Sequence, residues 1–299
     1  MCGNMFTTSL ILIVLFSLHE PCSSRDFHWA NETFLKIVDK MQEDGYFTSN
    51  RVRDALKFTD PWFFVKDDPY AMREHNIGYG AKMGAPTTNA RVLEALQAYL
   101  KIGSHALDIE TSGGYLAACM SLMVSSKGTI VATSSVKQLT ELSESNVERW
   151  LNNSGMPILG GKNAGIFFTT GDPLTLVKVH NSYAAIYLRT IDQRTIDYYK
   201  PLLSVGGRMA ATHTYADGKI KLVAVDRQET GLFKQTVLVD EKHPDKVITP
   251  FPPSIPSDLE PGLFDPDYIG YTSIQVRHIP DKSVSLLLCI TIILLMSFF

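Results

Sequence analysis

The sequence predicts an α/β fold in which helices cover both faces of a doubly wound, mostly parallel sheet. The main observation is that short apolar segments alternate with amphipathic segments, which is typical of parallel strands joined by helices. The period then changes, because residues 219–228 and 232–240 alternate polar and apolar side chains around a turn at Thr230-Gly231. These two segments predict a terminal antiparallel strand pair.

N-terminal helices are predicted ahead of the sheet. Residues 31–45 place apolar side chains on one helical stripe, and we expect Asn31 to cap this helix and Gly45 to end it. A second, short helix is predicted over residues 50–57. A third begins near residues 88–89, where another apolar face starts.

The sheet itself is predicted from the alternation that follows. Strands are predicted at residues 105–110, 129–134, 164–170, 183–190 and 206–214. Helices are predicted at residues 113–126, 136–153 and 192–204. Because the strands are apolar and the helices amphipathic, we expect the strands to lie inside and the helices outside.

Composition and charge argue against several classes of function. The chain has 299 residues, 45% of them hydrophobic, and a net charge of −3, which offers no basic surface for nucleic acid. Its eight histidines are scattered without the spacing of metal ligands, so no metal site is predicted. Of four cysteines, only Cys119 lies outside the terminal segments, and a disulfide framework is not expected.

Residues 1–24 have the pattern of a secretory signal peptide. A short apolar run is followed by the small residues Cys22 and Ser24, which suit cleavage after residue 24. Two sequons, at Asn31 and Asn152, would then be candidates for glycosylation. The expected location is the secretory lumen or the cell surface.

The C-terminal part predicts attachment to a membrane. Residues 241–282 are rich in proline and lack a periodic pattern, which is typical of a stalk. Residues 283–299 form a hydrophobic tail. The tail is either the signal for a lipid anchor attached near residues 270–273, or a retained membrane segment.

The segment ALDIETSGGYLAA, residues 106–118, has the form of a strand, a tight loop and a helix. Asp108 ends the strand, and Ser112, Gly113 and Gly114 lead into the helix. A ligand at such a loop meets backbone without side chains and the positive end of a helix dipole. The segment is therefore either a cofactor loop or an ordinary connection of an α/β domain.

The order of several segments resembles one known family. The segments are LKIVDKMQEDGYFTSNRVRDALKFTDPWFF, IGYGAKMGAPTTNARVLEAL, GSHALDIETSGGYLAACMSLMV, GTIVATSSVKQL and YYKPLLSVGGRM, followed by the terminal strand pair. They resemble protein-L-isoaspartate O-methyltransferases, which use S-adenosylmethionine to esterify the free carboxylate of isoaspartyl residues in damaged proteins. The resemblance implies a Rossmann-like methyltransferase fold over residues 25–240, with S-adenosyl-L-methionine as cofactor and an isoaspartyl-containing protein or peptide as partner.

The cofactor loop departs from the family pattern. The family reads Asp-Val-Gly-x-Gly-x-Gly, whereas this chain keeps Asp108 and Gly114 but has Glu110 and Ser112 at the other two glycine positions. Glu110 brings a side chain and a negative charge to the place of a carboxylate-bearing cofactor. An unpaired like charge there would cost about 1 kcal/mol or more.

Two further cofactor elements are also changed. The family's next strand ends in an acidic residue that binds the ribose hydroxyls, and this chain has Ser134 followed by Ser135. A Gly-Asp-Gly element near the adenine corresponds to Thr169, Thr170 and Gly171. A hydroxyl accepts one hydrogen bond but lacks the charge-assisted grip of a carboxylate.

The substrate loop differs most at its catalytic position. The family reads Thr-Ile-Ser-Ala-Pro-His-Met-His-Ala, and this chain reads KMGAPTTNA over residues 82–90. Gly84 stands at the serine position, and Thr87 and Asn89 stand at the histidine positions. The candidate substrate-loop residues are Lys82, Met83, Ala85, Pro86 and Asn89.

Two functions remain open from the sequence. The first is a catalytically degenerate isoaspartyl methyltransferase-like protein that binds an unknown protein partner and needs no cofactor. The second is active methylation of isoaspartyl carboxylates with S-adenosyl-L-methionine. An active enzyme requires Glu110 to point away from the cofactor crevice, whereas a degenerate protein predicts a crevice that is filled or re-lined.

Overall fold

The computed structural model describes residues 31–125, 127–153, 164–176, 182–243 and 274–278. The helices are α1 (Glu32–Glu43), α2 (Asn50–Phe58), α3 (Pro86–Leu96), α4 (Tyr115–Val124), α5 (Lys137–Asn153), α6 (Pro173–Leu176) and α7 (Gln193–Tyr199), with 3-10 turns at Pro61–Phe63 and Lys200–Leu202. The strands are β1 (His75–Gly78), β2 (Ala81–Met83), β3 (His105–Ile109), β4 (Thr129–Ser134), β5 (Ala164–Thr170), β6 (Tyr183–Leu188), β7 (Leu203–Thr214), β8 (Ile220–Arg227), β9 (Phe233–Asp240) and β10 (Ile274–His278).

The main sheet confirms the predicted fold class. Its described strands run in the order β10-β5-β4-β3-β6-β7-β8-β9. All neighbours from β10 to β7 pair in parallel, whereas β8 pairs antiparallel with both β7 and β9. The sheet is therefore doubly wound and mostly parallel, with an antiparallel end, as the change of sequence period indicated.

Strand β3 lies at the point where the direction of winding reverses. The chain passes from β3 to β4 and β5 on one side, then returns to place β6 on the other side of β3. Asp108 is thereby paired with Ala132 of β4 and with Tyr187 of β6. In open α/β sheets, the crevice at the carboxyl ends of strands beside such a reversal is where ligands bind.

The N-terminal helices begin where their capping residues predict. Asn31 accepts a hydrogen bond from the backbone N–H of Thr33 and caps α1, and Gly45 follows its end with a φ of 78°. Ser49 caps α2 in the same way through Val52. Helix α3 begins at Pro86, two residues before the predicted start, because proline suits the first position of a helix and needs no N–H partner there.

The hairpin of β1 and β2 and the edge strand β10 differ from the sequence prediction. Strands β1 and β2 form an antiparallel hairpin between α2 and α3, where no strand is predicted because both are short and half exposed. Strand β10 lies within residues 241–282, the predicted stalk, and pairs parallel with β5 in register from Ala164 to Phe168. The sheet therefore extends beyond residue 240, where the predicted domain ended. The predicted signal peptide and hydrophobic tail lie outside the described residues.

Arg51 fastens the N-terminal helices to the sheet-covering helices. Its side chain is 8% exposed and donates to the carbonyl oxygens of Gln97, at 3.1 Å, Leu100 and Met123, at 3.0 Å. Gln97 and Leu100 follow the end of α3, and Met123 lies in the last turn of α4, where backbone acceptors have no partner inside their own helix. A cation at that position also interacts favourably with the negative ends of both helix dipoles.

Among the described residues, no helix has the length and apolar composition needed to cross a membrane.

We expect Arg51→Met to lower the free energy of unfolding by about 2–4 kcal/mol, because buried carbonyl acceptors lose their donors. The matched control is Arg53→Met on the same helix, where the partly exposed guanidinium pairs with its neighbour Asp54. That change should cost no more than about 1 kcal/mol. Urea unfolding of both variants measures the difference, and equal losses would show that Arg51 does not fasten the helices.

Candidate functional site

The candidate site lies at the carboxyl ends of β3, β4 and β6, beside the reversal of winding. Asp108 of β3 is 1% exposed, and its Oδ1 has no hydrogen-bond partner among the described residues. Burial raises the pKa of Asp108 to about 7, and the nearby Glu110 carboxylate adds to the rise. The side chain therefore holds a proton between about pH 4 and 7, where an ordinary aspartate is ionised.

Glu110 reaches across from the end of β3 to the end of β4. Its carboxylate oxygens accept from the backbone N–H of Ser135, at 3.2 and 3.3 Å, and from the Ser135 hydroxyl, at 3.1 Å. The Ser134 hydroxyl lies 3.4 Å from Glu110 Oε2. Glu110 thus places a carboxylate beside the end of β4, next to the crevice.

The backbone at Glu110 has a conformation that glycine adopts without strain. Glu110 adopts a φ of 57°, in the left-handed region that costs a residue with a Cβ roughly 1–2 kcal/mol. The hydrogen bonds to Ser135 offset this cost, since bonds to a charged group contribute about 1.5–3 kcal/mol. The substitution is therefore tolerated because its carboxylate has partners at the end of β4.

Gly114 is explained by packing alone. Its φ is 83°, and a Cβ there would lie 2.8 Å from the carbonyl oxygen of Ser143 and 2.9 Å from Val147 Cγ2. The neighbouring carbonyl of Gly113 accepts from Asn146 Nδ2 at 3.1 Å. The start of α4 therefore touches α5 backbone to backbone, and glycine is required whether or not a cofactor binds.

The other cofactor-loop candidates are engaged within the protein. Ser112 directs its hydroxyl to the carbonyl of Glu110 at 3.4 Å, a weak contact. Thr170 donates to the hydroxyl of Thr140 on α5 at 3.1 Å, so it faces that helix. The backbone N–H of Gly171 donates to the carbonyl of Ser134 at 2.8 Å and ties the ends of β4 and β5 together.

Gly84 and Asn89 form a closed pair at the position of the family serine. Asn89 is buried and its Nδ2 donates to the carbonyl of Gly84 at 3.0 Å. A Cβ on residue 84 would lie 2.6 Å from Asn89 Oδ1. The Asn89 amide therefore occupies the space that a side chain at position 84 would need.

The space between this pair and Asp108 is very small. The cavity measures about 10 Å³, which is roughly what one water molecule needs. Its lining brings together residues that the sequence predicted from separate motifs: Met83, Gly84, Asn89, Asp108 and Ser112. An open groove of about 520 Å³ adjoins the substrate loop at Ala85 and Thr87.

Three polar residues that the sequence reading missed hold the hairpin against the sheet. Glu74 accepts from Arg189 at 2.5 Å and from the Thr214 hydroxyl at 2.8 Å. Lys82 Nζ lies 3.5 Å from Glu74, and Arg189 also donates to the Lys82 carbonyl. Arg189 directly follows the apolar strand β6, a position at the carboxyl edge that could have indicated its role.

The remaining predicted residues lie at helix ends. Ala85 and Pro86 form the start of α3. Asn31 is at the cap of α1, and Asn152 lies exposed in the last turn of α5. Neither asparagine lines the cavity beside Asp108.

The residues present fit S-adenosyl-L-methionine only in part. The Glu110 carboxylate at the end of β4 suits a ribose diol, since acidic residues bind ribose hydroxyls in related nucleotide folds. However, Gly114 faces α5 instead of the crevice, and the cavity of about 10 Å³ beside Asp108 does not take the reacting end of the cofactor. The one group at this edge that suits the cofactor is therefore the Glu110 carboxylate, which could accept hydrogen bonds from ribose hydroxyls.

The raised pKa of Asp108 makes the free energy of unfolding depend on pH. Because the folded-state pKa is about 7 and the unfolded value is near 4, the folded chain binds more protons between these limits. Stability should therefore fall as pH rises from about 4 to 7, by about 2–4 kcal/mol, and then level off. Urea unfolding at several pH values should show a flatter profile for Asp108→Asn, and parallel profiles would contradict the assignment.

Comparison with known proteins identifies the relatives of this chain. The family model for protein-L-isoaspartate (D-aspartate) O-methyltransferase matches residues 32–242. A protein-L-isoaspartate O-methyltransferase of Caenorhabditis elegans is 29% identical over 198 residues, which is 66% of this chain and 85% of the relative. Protein-L-isoaspartate O-methyltransferase 2 of Arabidopsis thaliana is 29% identical over 205 residues, which is 66% of this chain and 62% of the relative.

A solved structure agrees in fold. A crystal structure from Plasmodium falciparum, described as a protein-L-isoaspartate O-methyltransferase in complex with S-adenosyl-L-homocysteine, superposes with a TM-score of 0.57 at 20% identity. The match covers 70% of this chain and 96% of the other. From the family match and the shared fold, we conclude that this chain belongs to the protein-L-isoaspartate (D-aspartate) O-methyltransferase family.

Proposed function

We propose that this chain is a catalytically degenerate member of its family, exported into the secretory pathway and held at a membrane. In this role it binds a protein partner and does not methylate isoaspartyl residues. The groove of about 520 Å³ beside Ala85 and Thr87 offers a surface for an extended segment of that partner.

The Gly84–Asn89 pair carries the proposal of degeneracy. Methyl transfer requires the attacking carboxylate, the methyl group and the leaving sulfur to lie in line. Here the position of the family serine has no side chain, and Asn89 fills the space beside it. With room for about one water beside Asp108, the loop does not position a peptide carboxylate.

Active methylation is the alternative, and one observation favours it. The carboxylate that the family places at the end of β4 is absent from residue 134, but Glu110 brings a carboxylate to the same place from β3. A ribose could be held by Glu110 in this exchanged arrangement. The alternative therefore predicts cofactor binding that depends on Glu110.

The predicted signal peptide supports export into the secretory pathway, and the predicted apolar tail supports attachment to a membrane. Strand β10 bears on the choice between the two kinds of attachment, because a lipid anchor near residues 270–273 requires the residues beyond it to be removed. That cleavage would take Ile274–His278, and with it the edge strand, out of the sheet. We therefore propose a retained membrane tail.

The first test is titration of S-adenosyl-L-homocysteine into the full chain, with a methylation assay on an isoaspartyl peptide. We expect no methyl transfer above background and no binding at millimolar ligand. Micromolar binding that weakens at least about tenfold in Glu110→Gln, roughly 1.4 kcal/mol, would instead support the active alternative. Glu43→Gln, at an exposed site on α1, is the matched control. The relative from Caenorhabditis elegans serves as the reference in the assay.

The second test concerns the tail. We expect phosphatidylinositol-specific phospholipase C to leave the protein on membranes, and truncation after residue 283 to release it folded. Truncation after residue 273 should also lower its unfolding midpoint, because β5 loses its neighbour β10. Release by the phospholipase, with a lipid-anchored protein as control, would overturn the retained tail in favour of the lipid anchor.

A further inference from the structure

A second recess lies away from the candidate site, between the start of α1, the 3-10 turn at Pro61–Phe63 and the last turns of α5. It measures about 600 Å³. Its lining residues are Asn31, Asp60, Trp62, Phe63, Tyr70, Arg149 and Asn153. It shares no lining residue with the cavity beside Asp108, so the described function of that site does not explain it.

Asp60 fixes the geometry of this recess. Its Oδ1 accepts from the backbone N–H of Trp62 at 2.9 Å, and its Oδ2 accepts from the backbone N–H of Asn31 at 3.1 Å. The Tyr70 hydroxyl also donates to Oδ2, at 3.2 Å. One carboxylate therefore holds Asn31, Trp62 and Tyr70 next to one another.

The surface of the recess combines an aromatic face with hydrogen-bond donors. The Trp62 side chain is 57% exposed and packs against Phe63 edge to face, with ring centroids 5.1 Å apart. Arg149 donates to the Phe63 carbonyl and to Asn146 Oδ1, and it pairs with no carboxylate among the described residues. A flat apolar ring beside guanidinium and amide donors suits a sugar, which presents an apolar ring face and hydroxyl acceptors.

Asn31 is placed to carry that sugar as an attached glycan. It is the asparagine of the sequon Asn31-Glu32-Thr33, and it is exposed. Its Oδ1 accepts from the Thr33 backbone N–H at 2.9 Å, which leaves Nδ2 free of any partner among the described residues. Modification at Nδ2 therefore keeps the cap of α1 intact.

We propose that an N-linked glycan on Asn31 lies in this recess, with its first sugar units against the Trp62 ring and within reach of Arg149. The proposal uses the secretory location proposed above and is independent of whether the chain methylates. The transfer joins C1 of N-acetylglucosamine to Asn31 Nδ2. Nδ2 loses one proton, and the lipid pyrophosphate carrier of the sugar donor leaves C1. The glycan then covers an aromatic side chain that would otherwise be exposed to solvent.

The test compares Thr33→Ser with Thr33→Ala in the full chain, secreted from eukaryotic cells. Thr33 is exposed and the cap uses only its backbone N–H, so both variants keep Asn31 and its hydrogen bond. Serine preserves the sequon and alanine deletes it. Mass spectrometry of the Asn31 peptide reports modification, and acrylamide quenching of tryptophan fluorescence reports the exposure of Trp62.

We expect a glycan on Asn31 in Thr33→Ser, a higher quenching constant in Thr33→Ala, and a fall in Tm of about 2–4 °C on losing the contact. In a Trp62→Phe background, the difference in quenching between the two variants should vanish. Ser154→Ala, which deletes only the sequon at Asn152, should leave quenching unchanged.

Two outcomes would overturn the inference. If Asn31 is unmodified in the secreted chain, there is no glycan to lie in the recess. A modified Asn31 with equal quenching in Thr33→Ser and Thr33→Ala shows that the glycan lies elsewhere. Cell fractionation separates these outcomes from failure of export, which would overturn the proposed location together with this inference.

Discussion

The pairing of β3 with β4 on one side and β6 on the other is the constraint on which the rest of the structure depends. Because winding reverses at β3, the loops after these three strands meet at one edge of the sheet. At this edge the Glu110 carboxylate accepts a hydrogen bond from Ser135 at the end of β4. Arg189, which follows β6, donates to the Lys82 carbonyl of the hairpin. A strand order that separated β3 from β4 would break the contact between Glu110 and Ser135.

The altered positions of this chain act in pairs. Glu110 is compatible with its left-handed backbone because Ser135 donates hydrogen bonds to its carboxylate, and Asn89 can fold over residue 84 because that residue is glycine. Restoring one member of a pair would leave its partner without a contact or in a clash. Coupling of this kind makes free energies of neighbouring substitutions non-additive. It also gives the changed site an internal consistency that scattered loss of single residues would not produce.

The fold was predictable from the sequence wherever the pattern was long and periodic. The alternation from β3 to β7, the cap at Asn31 and the helix end at Gly45 follow from local chemistry, and the structure has them. The hairpin was not predicted because strands of three or four half-exposed residues show no periodic pattern. Strand β10 was not predicted because its partner β5 is distant in sequence. At the site, residue types predicted that the loop is altered. The direction of Glu110 could not be read from them, since it depends on the spacing of two strands.

The direction of β10 has a consequence for how the protein meets its surroundings. Because β10 runs parallel to β5, His278 ends at the same edge of the sheet as the crevice. Only residues 279–282 then precede the apolar tail, and four residues reach at most about 14 Å. Under the proposed attachment, the crevice would face the lipid headgroups across a narrow gap. A bulky folded partner would then be kept out, whereas an extended segment of a partner could enter from the side.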